Sequence, residues 1–218
     1  KNSQSLDVDG VHLVKLETLQ RTTLLTGPGE YKSLAFSEHG TEIAFATNKD
    51  NYTDKEPTWS VFLSATRGGP TKRIAREGDA GIPSKWWISP QTSVQFSDDN
   101  ARVYFDTEPI PEKVLGKRDG DEKLTQEGDA TASKKAKLDL WHWKDPQLQP
   151  QQLLQAEAER KRSYRAAFVL KSGKVVQLEN QAMPSVSIDY RSPATVAVAN
   201  TNLAYRRTLS WDYPGFQD

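Results

Sequence analysis

The sequence predicts an all-β fold assembled from repeated antiparallel hairpins, and three observations predict it. First, the stretch 34–47 returns as 94–107, with Phe96, Val103 and Phe105 each standing 60 positions after Phe36, Ile43 and Phe45. Strand, Ser-acid-polar turn and aromatic-bearing strand recur together. Second, each copy leads into a second hairpin of the same grammar, once over residues 59–74 and once over residues 166–178. Third, the strand-like runs are β-branched or alternating and are bounded by Gly, Ser and Pro, as in Gly68-Gly69-Pro70 and Lys171-Ser172-Gly173. Units that recur at such a period stack on one another, because a single hairpin cannot bury its own apolar face.

Taken in order, residues 11–16 and 21–25 form a first hairpin around Glu17-Thr18-Leu19-Gln20. Residues 31–75 then supply two hairpins in succession, and residues 86–179 supply two more, interrupted by two insertions. The insertion at 112–135 is charged and nearly free of large apolar groups, which predicts a mobile loop. The insertion at 151–162, with Leu153-Leu154 and then Ala156-Glu157-Ala158-Glu159, predicts a short helix. A degenerate copy of the first hairpin follows as Val186-Ser187-Ile188-Asp189-Tyr190 and Thr195-Val196-Ala197-Val198-Ala199, within the stretch 186–211.

Pairs of hairpins joined into four-stranded units are the blades of a β-propeller. The predicted organisation is a half blade (11–25), a blade (31–75), a blade with insertions (86–179) and a half blade (186–211). Joined halves would close a ring of three, below the usual four to eight. The expectation is therefore a partial propeller of four-stranded antiparallel blades with a short helical insertion, cut from a larger parent. Its open strand edges predict self-association.

Composition narrows function by exclusion. Among 218 residues, 29 basic and 29 acidic side chains give a net charge of zero, against the basic field expected of a nucleic-acid or anionic-membrane binder. The absence of cysteine removes disulfides, thiolate zinc sites and thiol catalysis. No apolar run approaches the ~20 residues of a membrane span, so no membrane insertion is expected. The mean hydropathy is −0.72, yet 6 Trp, 7 Tyr and 7 Phe offer bulky anchors for a core.

No motif reads as a catalytic, cofactor or metal site. Gly27-Pro28-Gly29-Glu30-Tyr31-Lys32-Ser33 resembles a phosphate loop, but Tyr31 replaces the glycine before the lysine and Glu30 would repel an anion. The turn between units is the better reading. His12, His39 and His142 lie in separate hairpins without metal-ligand spacing. His39 should face solvent, and His142 should lie on the strand face opposite Trp141 and Trp143. Asp98-Asp99-Asn100 offers clustered oxygens but reads as a turn. The basic runs 134–137 and 160–162 are flanked by acids and read as solvated surface. The tryptophans read as wedges between sheets, and Asn51-Tyr52-Thr53 is a glycosylation sequon by pattern alone.

Phe36-Ser37-Glu38-His39-Gly40 and Phe96-Ser97-Asp98-Asp99-Asn100 resemble the blade signature of TolB-like propellers. With Trp86-Trp87-Ile88-Ser89-Pro90, Leu140-Trp141-His142-Trp143-Lys144-Asp145-Pro146 and Leu209-Ser210-Trp211-Asp212, the chain is similar to the propeller region of bacterial serine peptidases of the prolyl oligopeptidase family. The resemblance implies a propeller seated over an α/β-hydrolase domain in the same parent chain, filtering peptide substrates, in a periplasmic or secreted protein. No Gly-x-Ser-x-Gly elbow occurs in these residues, so no catalytic residue carries over, and no Glu-Glu pair supports dipeptidyl specificity. The alternative expectation is a stand-alone TolB-like propeller acting as a protein-binding scaffold.

Overall fold

The computed structural model describes residues 9–118, 142, 144, 145, 147–191, 193 and 195–208. The chain divides into two compact units, residues 1–110 with 163–199, and residues 111–162 with 200–218. The first unit is β-rich, with mostly antiparallel sheets. β1 (Gly10–Val14) and β2 (Arg21–Thr26) form an antiparallel hairpin. β3 (Tyr31–Phe36), β4 (Glu42–Thr47), β5 (Ser60–Ala65) and β6 (Lys72–Arg76) form a four-stranded antiparallel meander in chain order.

The second large sheet repeats that meander with its first position split in two. β7 (Trp86–Ile88) and β8 (Gln95–Phe96) both pair with β9 (Arg102–Pro109), at opposite ends of its length. β10 (Tyr164–Val169) and β11 (Lys174–Gln177) complete the order β11-β10-β9-β7. β12 (Ser185–Ser187) and β13 (Val198–Asn200) make a last two-stranded sheet.

The two large sheets share one register. Phe36 faces Ile43 as Phe96 faces Val103, and Ala35 faces Ala44 as Gln95 faces Tyr104. Six consecutive pairs of β4 and β5, from Glu42–Ala65 to Thr47–Ser60, are matched by Arg102–Val169 to Thr107–Tyr164 in β9 and β10. Phe62–Arg73 and Leu63–Lys72 are matched by Ala166–Gln177 and Ala167–Val176. The offset between equivalent residues is thus 60 on the first two strands and 104 on the last two. Nearly all the extra chain enters between β9 and β10; three further residues enter the split first position, where Thr47 pairs with Tyr31 but Thr107 pairs with Ile88.

The turns repeat as closely as the strands. Ser37 N–H donates to the Glu42 carbonyl and Ser97 N–H to the Arg102 carbonyl, each at 3.0 Å. Each serine hydroxyl oxygen also accepts the N–H of the residue five positions on, again at 3.0 Å. The left-handed position falls to Gly40 (φ 62°) in one turn and Asn100 (φ 53°) in the other. These are the residues that tolerate that region best.

Alternation along the strands divides the core. Ile43, Phe45 and Phe62 face β1 and β2, meeting Val11, Leu24, Leu25 and Tyr31. Ala44, Ala46, Val61 and Ala75 face the second sheet and pack with Phe96, Val103, Phe105, Ala166 and Val175. The small alanines let the sheets approach, and the aromatic rings of the following sheet fill the gap.

Within the second unit, α1 (Glu112–Arg118) occupies the start of the insertion expected to be a mobile loop. Its charged residues are strong helix formers, and that propensity outweighs the shortage of apolar residues. The rest of that insertion lies outside the described residues. α2 (Gln149–Arg160) overlaps the predicted 151–162 helix but begins and ends two residues earlier, with Pro150 in its first turn and the Gln151 side-chain oxygen accepting the Leu148 N–H at 3.3 Å. Its exposed Leu153 and Leu154 build no buried face of the helix.

Candidate functional site

The two ends of the large sheets differ in character. At the turn end, the sheets are stitched by hydrogen bonds. Asn100 Oδ1 accepts the Glu38 N–H at 3.1 Å, tying one repeat turn to the next. The Asp98 N–H donates to the Tyr190 carbonyl at 2.9 Å, tying the second turn to the degenerate copy. Asp99 accepts from the Ser97 hydroxyl at 2.5 Å and the Ala101 N–H at 3.0 Å, and lies 3.7 Å from the Arg102 guanidinium. The Ser97 hydrogen bond, with the Ala101 amide, holds its carboxyl below the usual carboxylate range. Asp99 thus serves its own turn, and Asn100 joins that turn to its neighbour.

The opposite end carries aromatic and charged side chains. Trp59 and Trp87 are buried, and Trp59 forms an isolated antiparallel bridge with Ile88 that joins the two sheets. The Lys32 ammonium lies over the Trp59 ring, 3.7 Å from its centroid, a cation–π geometry. Burial pushes Lys32 below the usual lysine range, opposed by the negative charges of Glu30 and Glu108. Glu108 is held by two donors, Trp87 Nε1 at 3.0 Å and the Ser89 hydroxyl at 2.7 Å. Trp86 packs on Tyr164 with ring centroids 5.0 Å apart. The Lys32 ammonium and the Glu108 carboxylate are thus both held within the aromatic frame, the one over Trp59 and the other by Trp87 and Ser89.

Behind this end, the segment 89–94 that splits β7 from β8 is anchored by Asp106. Its carboxylate accepts the Ser93 N–H at 2.8 Å and lies 3.3 Å from Arg165, while its own N–H donates to Thr92 Oγ1 at 2.8 Å. The buried carboxylate is paired and hydrogen-bonded, as burial requires. This network braces the aromatic end.

Between the outer strands of the same two sheets lies a cleft of about 740 Å³. Leu63, Ile74, Phe168, Leu170 and Val175 line it, with Glu42, Lys72, Arg73 and Asp79 among its polar residues. Gly81 admits the close approach of the 79–82 loop to β11. Its φ is 97°, and a Cβ there would sit 2.0 Å from the Val175 carbonyl oxygen. The lining holds no Ser, His or Tyr, so the cleft can receive a side chain or a strand but contains no nucleophile and base in partnership.

The residues singled out from sequence are not brought together. Residues 27–30 connect β2 to β3, where Tyr31 donates its hydroxyl to the Gly27 carbonyl at 2.8 Å and Glu30 N–H donates to Asn48 Oδ1 at 2.8 Å. His12 lies on β1 with Nδ1 3.0 Å from Thr23 Oγ1, and His39 is exposed in its turn. His142 is not on a strand. It opens a turn in which its N–H donates to Asp145 Oδ2 at 3.0 Å and its Nδ1 accepts the Lys144 N–H at 3.1 Å. An Asp three residues on captures that backbone and favours the turn. Trp141, Trp143, Trp211 and the 134–137 run lie outside the described residues.

Arg160-Lys161-Arg162 is surface: Lys161 pairs with Glu157 at 2.9 Å and Arg162 with Glu159. Asn51 uses its amide within its own loop, donating to Asp54 and accepting from Thr58. Among the described residues no group of three or more His, Asp or Glu is placed to hold a metal ion. No helix of the described residues is long and apolar enough to cross a membrane.

No local pattern signals the pairing of Lys32 with Trp59, because the two residues lie 27 positions apart in different hairpins. Only the register, which sets Lys32 beside Ala46 and Ala46 beside Val61, brings them to one end.

No protein-family model matches the chain, and no curated protein matches it either. Among solved structures, the chain is similar to TolB from Acinetobacter baumannii, at 10% identity and a TM-score of 0.26. The likeness covers 87% of this chain and 45% of TolB, so the chain spans less than half of that protein.

Proposed function

We propose that this chain is the non-catalytic β-propeller portion of a serine peptidase of the prolyl oligopeptidase type. In this reading it caps a hydrolase domain of the same parent and filters the peptides that reach it. The observation that carries the architectural part is the shared register of the two large sheets, with matching pairings among the last three strands and at the turn end of the first. Two such meanders stacked through Ala44 and Ala46 against Phe96 and Phe105 are what consecutive blades require. The peptidase part rests on the resemblance carried by residues 86–90, 140–146 and 209–212.

Peptides would be met at the aromatic end, where Lys32, Trp59 and Glu108 gather and where the chain leaves the sheets for the excursion holding α1 and α2. The test is active-site labelling of the full-length parent with a fluorophosphonate, followed by peptide mapping. Labelling of a Ser in a Gly-x-Ser-x-Gly elbow, outside these 218 residues, is the expected result. An unlabelled parent with no such elbow overturns the peptidase reading and leaves a protein-binding propeller scaffold.

A further inference from the structure

The cleft between the outer strands belongs to the repeat in its position but not in its chemistry. It lies where the core between the two large sheets gives way to half-buried Leu63, Phe168 and Leu170. Ala44 pairs with Leu63 and Leu63 with Lys72, and Glu42 stands two residues before Ala44, so Glu42, Leu63 and Lys72 share one face of the first sheet. Phe168 stands two residues after Ala166 and pairs with Val175, which sets both on the face of the second sheet that meets the first. In the next copy the positions of Glu42, Leu63 and Lys72 are held by Arg102, Ala167 and Val176. These line a cleft of about 280 Å³, against about 740 Å³ in the first. There Arg102 lies 3.7 Å from Asp99, within its own turn. The repeat therefore asks for no acid at Glu42 and no base at Lys72.

Of the charged side chains that line the larger cleft, two are already answered. Arg73 lies 3.3 Å from Asp50, and Asp79 lies 3.6 Å from the Arg76 guanidinium while accepting the Arg76 N–H at 2.9 Å. Glu42 and Lys72 form no ion pair among the described residues. Two strands and two residues separate them, a distance of about 12 Å from strand spacing and rise. Leu63 stands between them in the register. An extended peptide advances about 3.4 Å per residue and turns every second side chain to one side, so its residues i, i+2 and i+4 span about 14 Å. Such a chain can set one charge at Lys72, an apolar side chain on Leu63 and the opposite charge at Glu42. Its residues i+1 and i+3 then turn toward Phe168 and Val175. The volume of about 740 Å³ lies within the ~300–1,000 Å³ of ligand clefts.

We propose that this cleft binds an extended peptide segment of a partner protein, in which an acidic and a basic residue four positions apart flank an apolar one. The peptide carboxylate meets the Lys72 ammonium, its cation meets the Glu42 carboxylate, and its apolar side chains fill the space between Leu63 and Phe168. The segment crosses β4, β5 and β6 obliquely between the two sheet faces, rather than adding to a sheet edge. The charges fix where the peptide sits, and the apolar floor supplies the area it buries. This site lies at the turn end of the sheets, opposite Lys32 and Trp59, and it does not rest on the peptidase reading.

The experiment titrates the isotope-labelled 218-residue chain with two synthetic probes, acetyl-Asp-Val-Leu-Val-Lys-amide and acetyl-Lys-Val-Leu-Val-Asp-amide, and follows the amide chemical shifts. At least one probe should saturate, with shifts at Leu63, Lys72 and Gly173 and none at Trp59. Lys72 is exposed, so Lys72→Glu should keep its circular dichroism and urea midpoint. It should weaken binding roughly tenfold, because an attraction becomes a repulsion. Adding Glu42→Lys to that variant should recover most of the loss, since the acid and the base have then exchanged places. Should either reversal disturb the fold, Lys72→Gln and Glu42→Gln each remove one charge and should weaken binding roughly threefold. No saturation by either probe up to about 5 mM overturns the proposal. So do shifts gathered around Trp59, binding indifferent to the variants, or equal binding of acetyl-Lys-Val-Leu-Val-Lys-amide. The peptidase reading fails separately, by the absence of a fluorophosphonate label on the parent.

Discussion

The same substitution at two equivalent positions separates burial from position in the repeat. Phe96→Ala removes a ring that is 6% exposed and packs among Ala44, Ala46, Val103 and Phe105. Phe-to-Ala changes in such settings cost about 3–5 kcal/mol, the transfer of the ring plus the cavity it leaves. Phe36→Ala removes the same ring from the same register position, facing Ile43 as Phe96 faces Val103. There the ring is 57% exposed, so more than half of the transfer cost vanishes and no closed cavity forms. About 1 kcal/mol is the expected loss. The assay is urea unfolding followed by tryptophan fluorescence, at a concentration low enough to keep the chain monomeric. With a urea slope near 2 kcal/mol/M, Phe96→Ala should lower the midpoint by about 2 M and Phe36→Ala by about 0.5 M. Equal shifts, or a larger shift for Phe36→Ala, would refute the claim that only the second copy lies beneath a preceding sheet.

Three further changes test the turns and the cleft. Asn100→Ala should cost about 1–2 kcal/mol in the same assay, because it loses both the left-handed preference at φ 53° and the hydrogen bond to Glu38 N–H; Asn100→Gly should cost less, since it keeps the backbone geometry. Asp99 has a folded pKa below its unfolded value near 3.9, so its stabilising contribution is present above that pH and fades as pH falls through the folded value. Thermal melts between pH 2 and pH 6 should therefore show a steeper acid loss for the wild type than for Asp99→Asn. Gly81→Ala and Gly68→Ala both place a Cβ at a φ near 100°, costing about 1–3 kcal/mol from conformation. Only Gly81→Ala also meets the Val175 carbonyl, whereas nothing lies within 4 Å at Gly68, so differential scanning calorimetry should show the larger drop in Tm for Gly81→Ala.

The first two strands of each large sheet were legible because the sequence keeps the same residue types at the same offset: Phe36 and Phe96, Ile43 and Val103, Phe45 and Phe105. The equivalence of the last two strands was legible only as a shared hairpin grammar. Phe62 and Ser64 are matched by Ala166 and Phe168, so the large side chain has moved two places along the same face. The filled volume persists while the position does not, and residue-by-residue comparison is blind to that. The aromatic end was less legible still. Asp106 is paired to Arg165 across 59 residues of chain, and nothing local marks a buried aspartate. The turns offer the reverse case: Asn100 reads as a turn residue from its neighbours, yet its side chain also bonds to the preceding copy, which no local rule reveals.

The place where the extra chain enters bears on function. In the first sheet 12 residues (48–59) join β4 to β5, whereas 56 residues (108–163) separate the equivalent pairs of β9 and β10. Lengthening a flexible connection by that ratio costs roughly 1.4 kcal/mol in loop closure, little beside the six ladder pairs that hold its ends in register. The sheets thus tolerate a large excursion, and tolerate it at the end where Lys32 lies on Trp59 and Glu108 is held by Trp87 and Ser89. At the other end, Ser37 and Ser97 turns of identical geometry are bonded across to their neighbours, and an insertion there would break Asn100 from Glu38. The turn end is bonded from one copy to the next, while the aromatic end admits the long excursion. If the proposed reading is right, a recognition surface would belong where length and composition can change without cost to the ladders, at the end that carries Trp59.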